Sequence, residues 1–213
     1  MLVSDMIVRI RSSTHDQLKT GYTDDELVGY INDGVRFLRR MIFQIYPLML
    51  TEDLAGSLEE GEKDIVSEKK IIRVYDVRVN GRSLRQYNSL GIYDNGEKGT
   101  PTKFYRVGLN TISLYPIPNR KIDYLVKYIC EQELLTEKDD TPFSTDFDDF
   151  VYEYALIRAS VGNEFSLQQE QMIMSAISKQ VESMLYSMSR AEVQVKGYWD
   201  SGRDDRDDYG RRW

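Results

Sequence analysis

The chain of 213 residues has one cysteine, one histidine, two tryptophans and no long apolar run. The single cysteine, Cys130, excludes an intrachain disulfide and any multi-cysteine metal site. The single histidine, His15, excludes a histidine-based metal cluster and leaves one candidate base for a nucleophilic triad. No stretch reaches the roughly 18 consecutive apolar residues that a membrane-spanning helix needs. The opening Met1-Leu-Val-Ser-Asp-Met-Ile-Val-Arg-Ile10 has no basic segment ahead of an apolar one, so no signal peptide is expected. Positive charge is also in deficit. A formal charge of −7 argues against gripping nucleic acid by its phosphates. An acidic surface can still line a path along which DNA slides without sticking. No glycine-rich loop precedes a helix, so nucleotide binding has no support. The expected setting is a reducing cytoplasm or an assembly made there, with no membrane contact.

What remains for chemistry is thin. Ser12-Ser-Thr-His-Asp16 gathers hydroxyls, an imidazole and a carboxylate, but triads draw their members from separate elements, so a polar helix end is the expected reading. Acids cluster at Asp24-Asp-Glu26, Asp139-Asp140 and Asp146-Phe-Asp-Asp149. Two of these clusters sit where helices are expected to start, a position that the helix dipole favours for carboxylates. The third lies in a turn beside Pro142. The expectation is therefore no catalytic residue, no metal and no cofactor.

Against this scarcity, 41% of the residues are hydrophobic, enough for a packed core. Val3, Met6, Ile7 and Ile10 fall at helical spacing. Thr23 followed by Glu26 is a capping box, and Leu27, Tyr30, Ile31, Val35, Leu38, Ile42 and Ile45 form one apolar stripe up to Pro47. Residues 51–142 change character: glycines punctuate short runs of Val, Ile and Tyr. Residues 71–79 lead into Asn80-Gly81, a strong hairpin signal, and their alternation slips between Val74 and Val77, which predicts a bulge. Residues 103–107 and 111–115 flank Gly108-Leu-Asn110 as a second hairpin. Residues 122–130 carry apolar side chains on both faces near their end, the pattern of a central strand. Phe147, Phe150, Val151, Tyr154, Ile157 and Val161 mark a further helix. Ile173, Ile177, Val181, Met184, Met188, Ala191 and Val195 step by three or four, a near-heptad seam suited to packing on another long helix.

The fold class expected from this order is α+β. An antiparallel helical bundle is built from residues 1–50 and 143–196, a small antiparallel β domain (a sheet or a sandwich) is inserted at 51–142, and an extended tail follows at 197–213. That tail holds both tryptophans, five Asp and four Arg, with no Leu, Ile or Val. Such a segment builds no core, and ordering its 17 residues costs roughly 1–2 kcal/mol each. Trp, Tyr and Arg commonly anchor interfaces. Tyr198, Trp199, Arg203, Arg206, Tyr209, Arg211, Arg212 and Trp213 thus read as a docking peptide, or as a tail folded back on its own domain. Of the 15 tyrosines, Tyr75, Tyr87, Tyr93 and Tyr105 lie in the strand block, as half-buried strand aromatics or partly wet subunit contacts.

Taken together, Tyr22-Thr-Asp-Asp-Glu-Leu-Val-Gly-Tyr-Ile-Asn-Asp-Gly-Val-Arg-Phe-Leu-Arg-Arg40, Thr111-Ile-Ser-Leu-Tyr-Pro-Ile-Pro118, Tyr124-Leu-Val-Lys-Tyr128 and Phe147-Asp-Asp-Phe-Val-Tyr-Glu-Tyr-Ala-Leu-Ile-Arg-Ala159 are suggestive. In this order they resemble the head-to-tail adaptor proteins of tailed bacteriophages, also called connector or tail tubular A-like proteins. The resemblance spans residues 20–195 and leaves the tail outside it. It implies a non-enzymatic virion protein at the head–tail junction, assembled in the host bacterial cytoplasm. It further implies a ring homo-oligomer, usually a dodecamer, fixed beneath the portal protein. The helical domains would surround a channel through which DNA passes without specific binding, and the ring would offer a platform to the tail tube or nozzle protein. The family's C-terminal extensions dock on the portal, which matches the tail's composition. Asn80, Gly81, Asp94 and Asn95, at tips of the insert, are candidate contacts to the tail machinery. Two alternatives stay open: another phage neck or tail-completion protein with the same α–β–α layout, and a small metal-dependent hydrolase using the acid clusters.

Overall fold

The computed structural model describes residues 1–87, 96–161 and 167–200. Its chain divides into two compact units, one of Met1–Met49 with Leu134–Trp213 and one of Leu50–Glu133.

The first unit is helical. α1 (Val3–Ser13) buries Val3, Met6, Ile7 and Ile10, as their spacing predicts. α2 (Asp24–Ile45) starts at the capping box: the Glu26 amide donates to Thr23 Oγ1 at 3.2 Å and the Thr23 amide donates to Glu26 at 2.8 Å. Leu27, Ile31, Val35, Leu38 and Ile42 are buried along its stripe, while Tyr30 and Ile45 are half-buried. The helix stops at Ile45, and Pro47 opens a 3-10 turn (Pro47–Leu50).

α3 (Thr145–Val161) differs in detail from the expected face. Its fully buried line is Phe147, Val151, Ala155 and Ala159, one residue per turn. The two alanines thin this side of α3. α2 comes close to α3 at Gly34, where an added Cβ would sit 3.1 Å from the Val151 carbonyl oxygen. Phe37 of α2 stacks on Tyr154 with ring centroids 5.2 Å apart. The buried Tyr22 hydroxyl, just ahead of α2, donates to the Ala159 carbonyl. Residues 134–142 join the helices: Asn32 donates to the Leu135 carbonyl at 2.9 Å and accepts from the Leu135 amide at 2.8 Å. α4 (Leu167–Asp200) buries Ile177, Val181 and Leu185. Within the expected seam, Met184 is only half-buried and Met188 is exposed.

The second unit contains β1 (Glu52–Leu58), β2 (Asp64–Val66), β3 (Ile71–Val79), β4 (Arg82–Ser83) and β5 (Arg85–Gln86). It continues with β6 (Lys98–Gly99), β7 (Lys103–Val107), β8 (Thr111–Tyr115), β9 (Ile117–Pro118) and β10 (Ile122–Cys130). One sheet runs β1-β10-β3-β4 and a second β2-β8-β7-β5. Ile71, Val77, Ile122 and Val126 of the first share one core with Ile65, Phe104, Ile112 and Leu114 of the second, so the insert is a sandwich. β10 is central, between β1 and β3, and Ile129 is buried on the face opposite Val126. The expected bulge is present: Asp76 faces Lys127 while Val74 faces Tyr128, leaving Tyr75 as the extra residue. Asn80 and Gly81 have φ of 48° and 81°, the left-handed pair that a two-residue hairpin between β3 and β4 requires. Two short pairings, β5 with β7 and β6 with β9, are parallel, so the insert is not purely antiparallel.

Candidate assembly surfaces

The residues with chemical potential are committed to holding the helices. Arg11, on the last turn of α1, is buried at 5% exposure and reaches three ways. It donates to Asp16 at 2.6 Å, to Asp24 at 2.7 Å and to the Tyr22 carbonyl at 2.9 Å. Asp16 in turn accepts the amides of Thr20 and Gly21, each at 2.8 Å, and of Tyr22 at 3.2 Å. The turn between α1 and α2 is therefore wound around one carboxylate. His15 stands at φ 55°, and Asp16 beside it is spent on Arg11 and the backbone, so Ser12-Ser-Thr-His-Asp16 has no carboxylate left to orient an imidazole.

The other acid clusters are similarly engaged. Asp24 also binds Lys19 at 2.8 Å, and Glu26 completes the cap. Asp139 accepts from the Thr136 amide at 2.7 Å. Asp148 is fully buried, accepts from Thr141 Oγ1, and lies 3.0 Å from the Met1 amino group. Asp149 meets Arg9 at 3.3 Å. No group of three His, Cys, Asp or Glu among the described residues is placed to hold a metal. No helix among them is long and apolar enough to cross a membrane.

This wiring has a pH signature. Bonding to the Gly21 amide foremost holds the Asp16 carboxyl below its ordinary 3.8; burial opposes the shift, and Thr20, Tyr22 and Arg11 reinforce it. Lys19, then Arg11, lowers Asp24 in the same way. Folded-state values below the unfolded ones mean stability that is complete above about pH 4 and lost as pH falls through the folded values. Thermal midpoints are expected to be flat from pH 7 to 5 and to fall below pH 4. Asp16→Asn should be less stable at pH 7 and flatter across the acid range. An unchanged acid slope in that variant would remove Asp16 from the account.

The assembly residues expected from the sequence fall in different places. Asn80 and Gly81 form the exposed tip of the β3–β4 hairpin. Asp94 and Asn95, proposed with them, lie outside the described residues, as does Tyr93. α4 is described through Asp200, so the backbone of Tyr198 and Trp199 lies at its C-terminal end. Arg203, Arg206, Tyr209, Arg211, Arg212 and Trp213 lie outside the described residues. Tyr105 and Tyr75 are half-buried strand aromatics. Tyr87 is exposed, with the Lys103 ammonium 4.6 Å from its ring centroid.

Two apolar surfaces escape the sequence reading. On the outer face of the second sheet, Val66, Thr111 and Val107 form one cross-strand row, and both valines are exposed. Alternation locates such a row only once the register is known. In the helical unit, α3 and α4 enclose a groove of about 400 Å³, floored by Leu156, Ile157, Ile173, Ala176 and Ile177 and edged by Glu153 and Gln180. The angle at which two helices meet leaves no mark in either helix's periodicity.

The arrangement offers self-supporting helices, a β sandwich with an exposed turn, and apolar surfaces suited to protein contact. A family model described as SU10 adaptor protein matches residues 1–204. No curated protein matches the chain.

Proposed function

The chain belongs to the SU10 adaptor protein family, and from that premise we propose that it forms a ring between the capsid portal and the tail of a bacteriophage. The family is one of phage head-to-tail adaptors, structural proteins that associate with other head and tail proteins of the virion. The match over residues 1–204 is the observation that carries the reading.

In the finer proposal the ring is a dodecamer, assembled in the bacterial cytoplasm, whose channel passes DNA without binding it specifically. The charge distribution supports a non-adhesive channel. The β unit balances 13 acidic against 13 basic residues, so the net −7 belongs to the unit made of the two terminal segments, which would repel phosphate. The C-terminal residues from Tyr198 to Trp213 dock on the portal protein. The insert tips at Asn80, Gly81, Asp94 and Asn95 face the tail tube or nozzle protein. Cross-linking mass spectrometry of intact particles tests this reading. Cross-links from the C-terminal residues to the portal, and from the insert to a tail protein, are expected. Cross-links confined to tail proteins would instead favour the tail-completion alternative.

A further inference from the structure

The β unit leaves one long strand edge uncovered. β1, of seven residues, stands at the end of its sheet and pairs along its whole length with β10, without a bulge. The direction of its backbone groups follows from the next ladder. The Asn80 amide donates to the Asp123 carbonyl at 2.9 Å, and the Asp123 amide donates to Asn80 Oδ1 at 3.1 Å, so Asp123 turns its backbone groups towards β3. Its neighbours alternate: Ile122, Tyr124 and Val126 turn theirs towards Leu58, Gly56 and Leu54 of β1. The amides and carbonyls of Asp53, Ala55 and Ser57 therefore point outward, in a row about 14 Å long. All three residues are exposed, and nothing among the described residues bonds to these groups. Sheet edges are normally blocked by proline, lysine or a bulge, and β1 has none of them. Its two charges stand at one end, Glu52 with Lys69 at 3.2 Å and Asp53 with Lys127 at 3.8 Å. On the core side of the edge, Leu54 is half-buried and the Tyr124 side chain lies over Gly56, where an added Cβ would stand 2.5 Å from its hydroxyl oxygen.

We propose that β1 accepts an extended segment of a different protein as an added strand. The backbone of that segment bonds to Asp53, Ala55 and Ser57, and every second side chain is apolar, covering Leu54 and Tyr124. The partner's setting rests on the adaptor reading, within which it is another protein of the virion. A second copy fits the edge poorly. The far end of the same sheet is bent: the adjacent amides of Leu84 and Arg85 are both spent within the chain, on the Val77 and Thr102 carbonyls. β2 offers three residues. β1 against β1 makes a two-fold pair, which does not propagate into a ring. Residues 201–213 contain no Leu, Ile or Val for the core side.

The probe is a dye-labelled octapeptide alternating valine with threonine, N-methylated on one alternation so that it presents a single pairing edge. Fluorescence anisotropy is expected to show saturable binding to the full chain. The same peptide methylated on both alternations should bind about tenfold more weakly or worse. In amide hydrogen exchange, bound peptide should slow Asp53, Ala55 and Ser57, while Leu54 and Gly56, already paired with β10, stay as they were. Ala55→Pro removes an outward amide that no ladder bond uses, a position where an edge strand tolerates proline. It should keep the melting temperature and lose about tenfold or more in binding. Equal binding of the two peptides, or no slowing at the three outward amides, would overturn the proposal without reference to any variant. Self-association of the chain that Ala55→Pro abolishes would also overturn it, by giving the edge to a second copy. The adaptor reading fails separately, on particles that acquire tails without this protein at all.

Discussion

Protein ending at Lys196 is expected to fold, keep its melting temperature, and lose attachment to the portal by two orders of magnitude or more. Both tryptophans go with the truncation, and with them four arginines and two tyrosines. Each Trp buries about 150–250 Å² when docked, worth roughly 4–6 kcal/mol at about 25 cal/mol per Å² as an upper bound. Ordering the segment costs about 1–2 kcal/mol per residue, so the tryptophans alone do not offset it and the arginine and tyrosine contacts must supply the rest. Even a surplus of about 3 kcal/mol corresponds to roughly a hundredfold in affinity. The fold should be indifferent, because the last side chain of α4 described as buried is Leu185. Co-sedimentation of full-length and truncated protein with portal assemblies makes the comparison. Equal binding by both would remove the docking role from residues 197–213.

Phe147→Ala is expected to cost about 3–5 kcal/mol of stability, the range for emptying a large buried aromatic site. Phe147 is fully buried on the first turns of α3, with the rings of Phe143 and Phe150 each 6.3 Å away, centroid to centroid. It begins the line that continues through Val151, Ala155 and Ala159, and the two alanines cannot move to refill the void. For a chain of this size each kcal/mol lowers the melting temperature by about 2–4 °C, so a drop of roughly 10 °C is expected. Phe147→Leu, which keeps most of the volume, should lose less than half as much. A loss under about 1 kcal/mol for the alanine variant would mean that the site collapses or is not a core position.

Features encoded over a few adjacent residues were legible before the structure. Thr23 with Glu26, Asn80 with Gly81, and the slipped alternation around Tyr75 each describe a local geometry completely, and each is present. β10 was legible as central because burial on both faces writes apolar residues into both alternations. Contacts between elements were not legible. Nothing in the spacing around Arg11 marks it as buried, and only the path of the following turn brings Asp16, Tyr22 and Asp24 around it. Ala155 and Ala159 were overlooked because periodicity is read from large side chains, whereas close helix packing selects small ones. The seam on α4 was half legible: Ile177 and Val181 are buried as spaced, but Leu185 takes the next place and Met188 lies past the end of the packing. Spacing states which side of a helix is apolar; it does not state how far a neighbour covers it.

The central claim is that this protein joins head to tail. Electron microscopy of particles assembled with its gene deleted tests the claim most directly. The account predicts DNA-filled or leaking heads and free tails, with tailed particles restored when the full chain is supplied. Tailed particles of normal appearance made without the protein would contradict it.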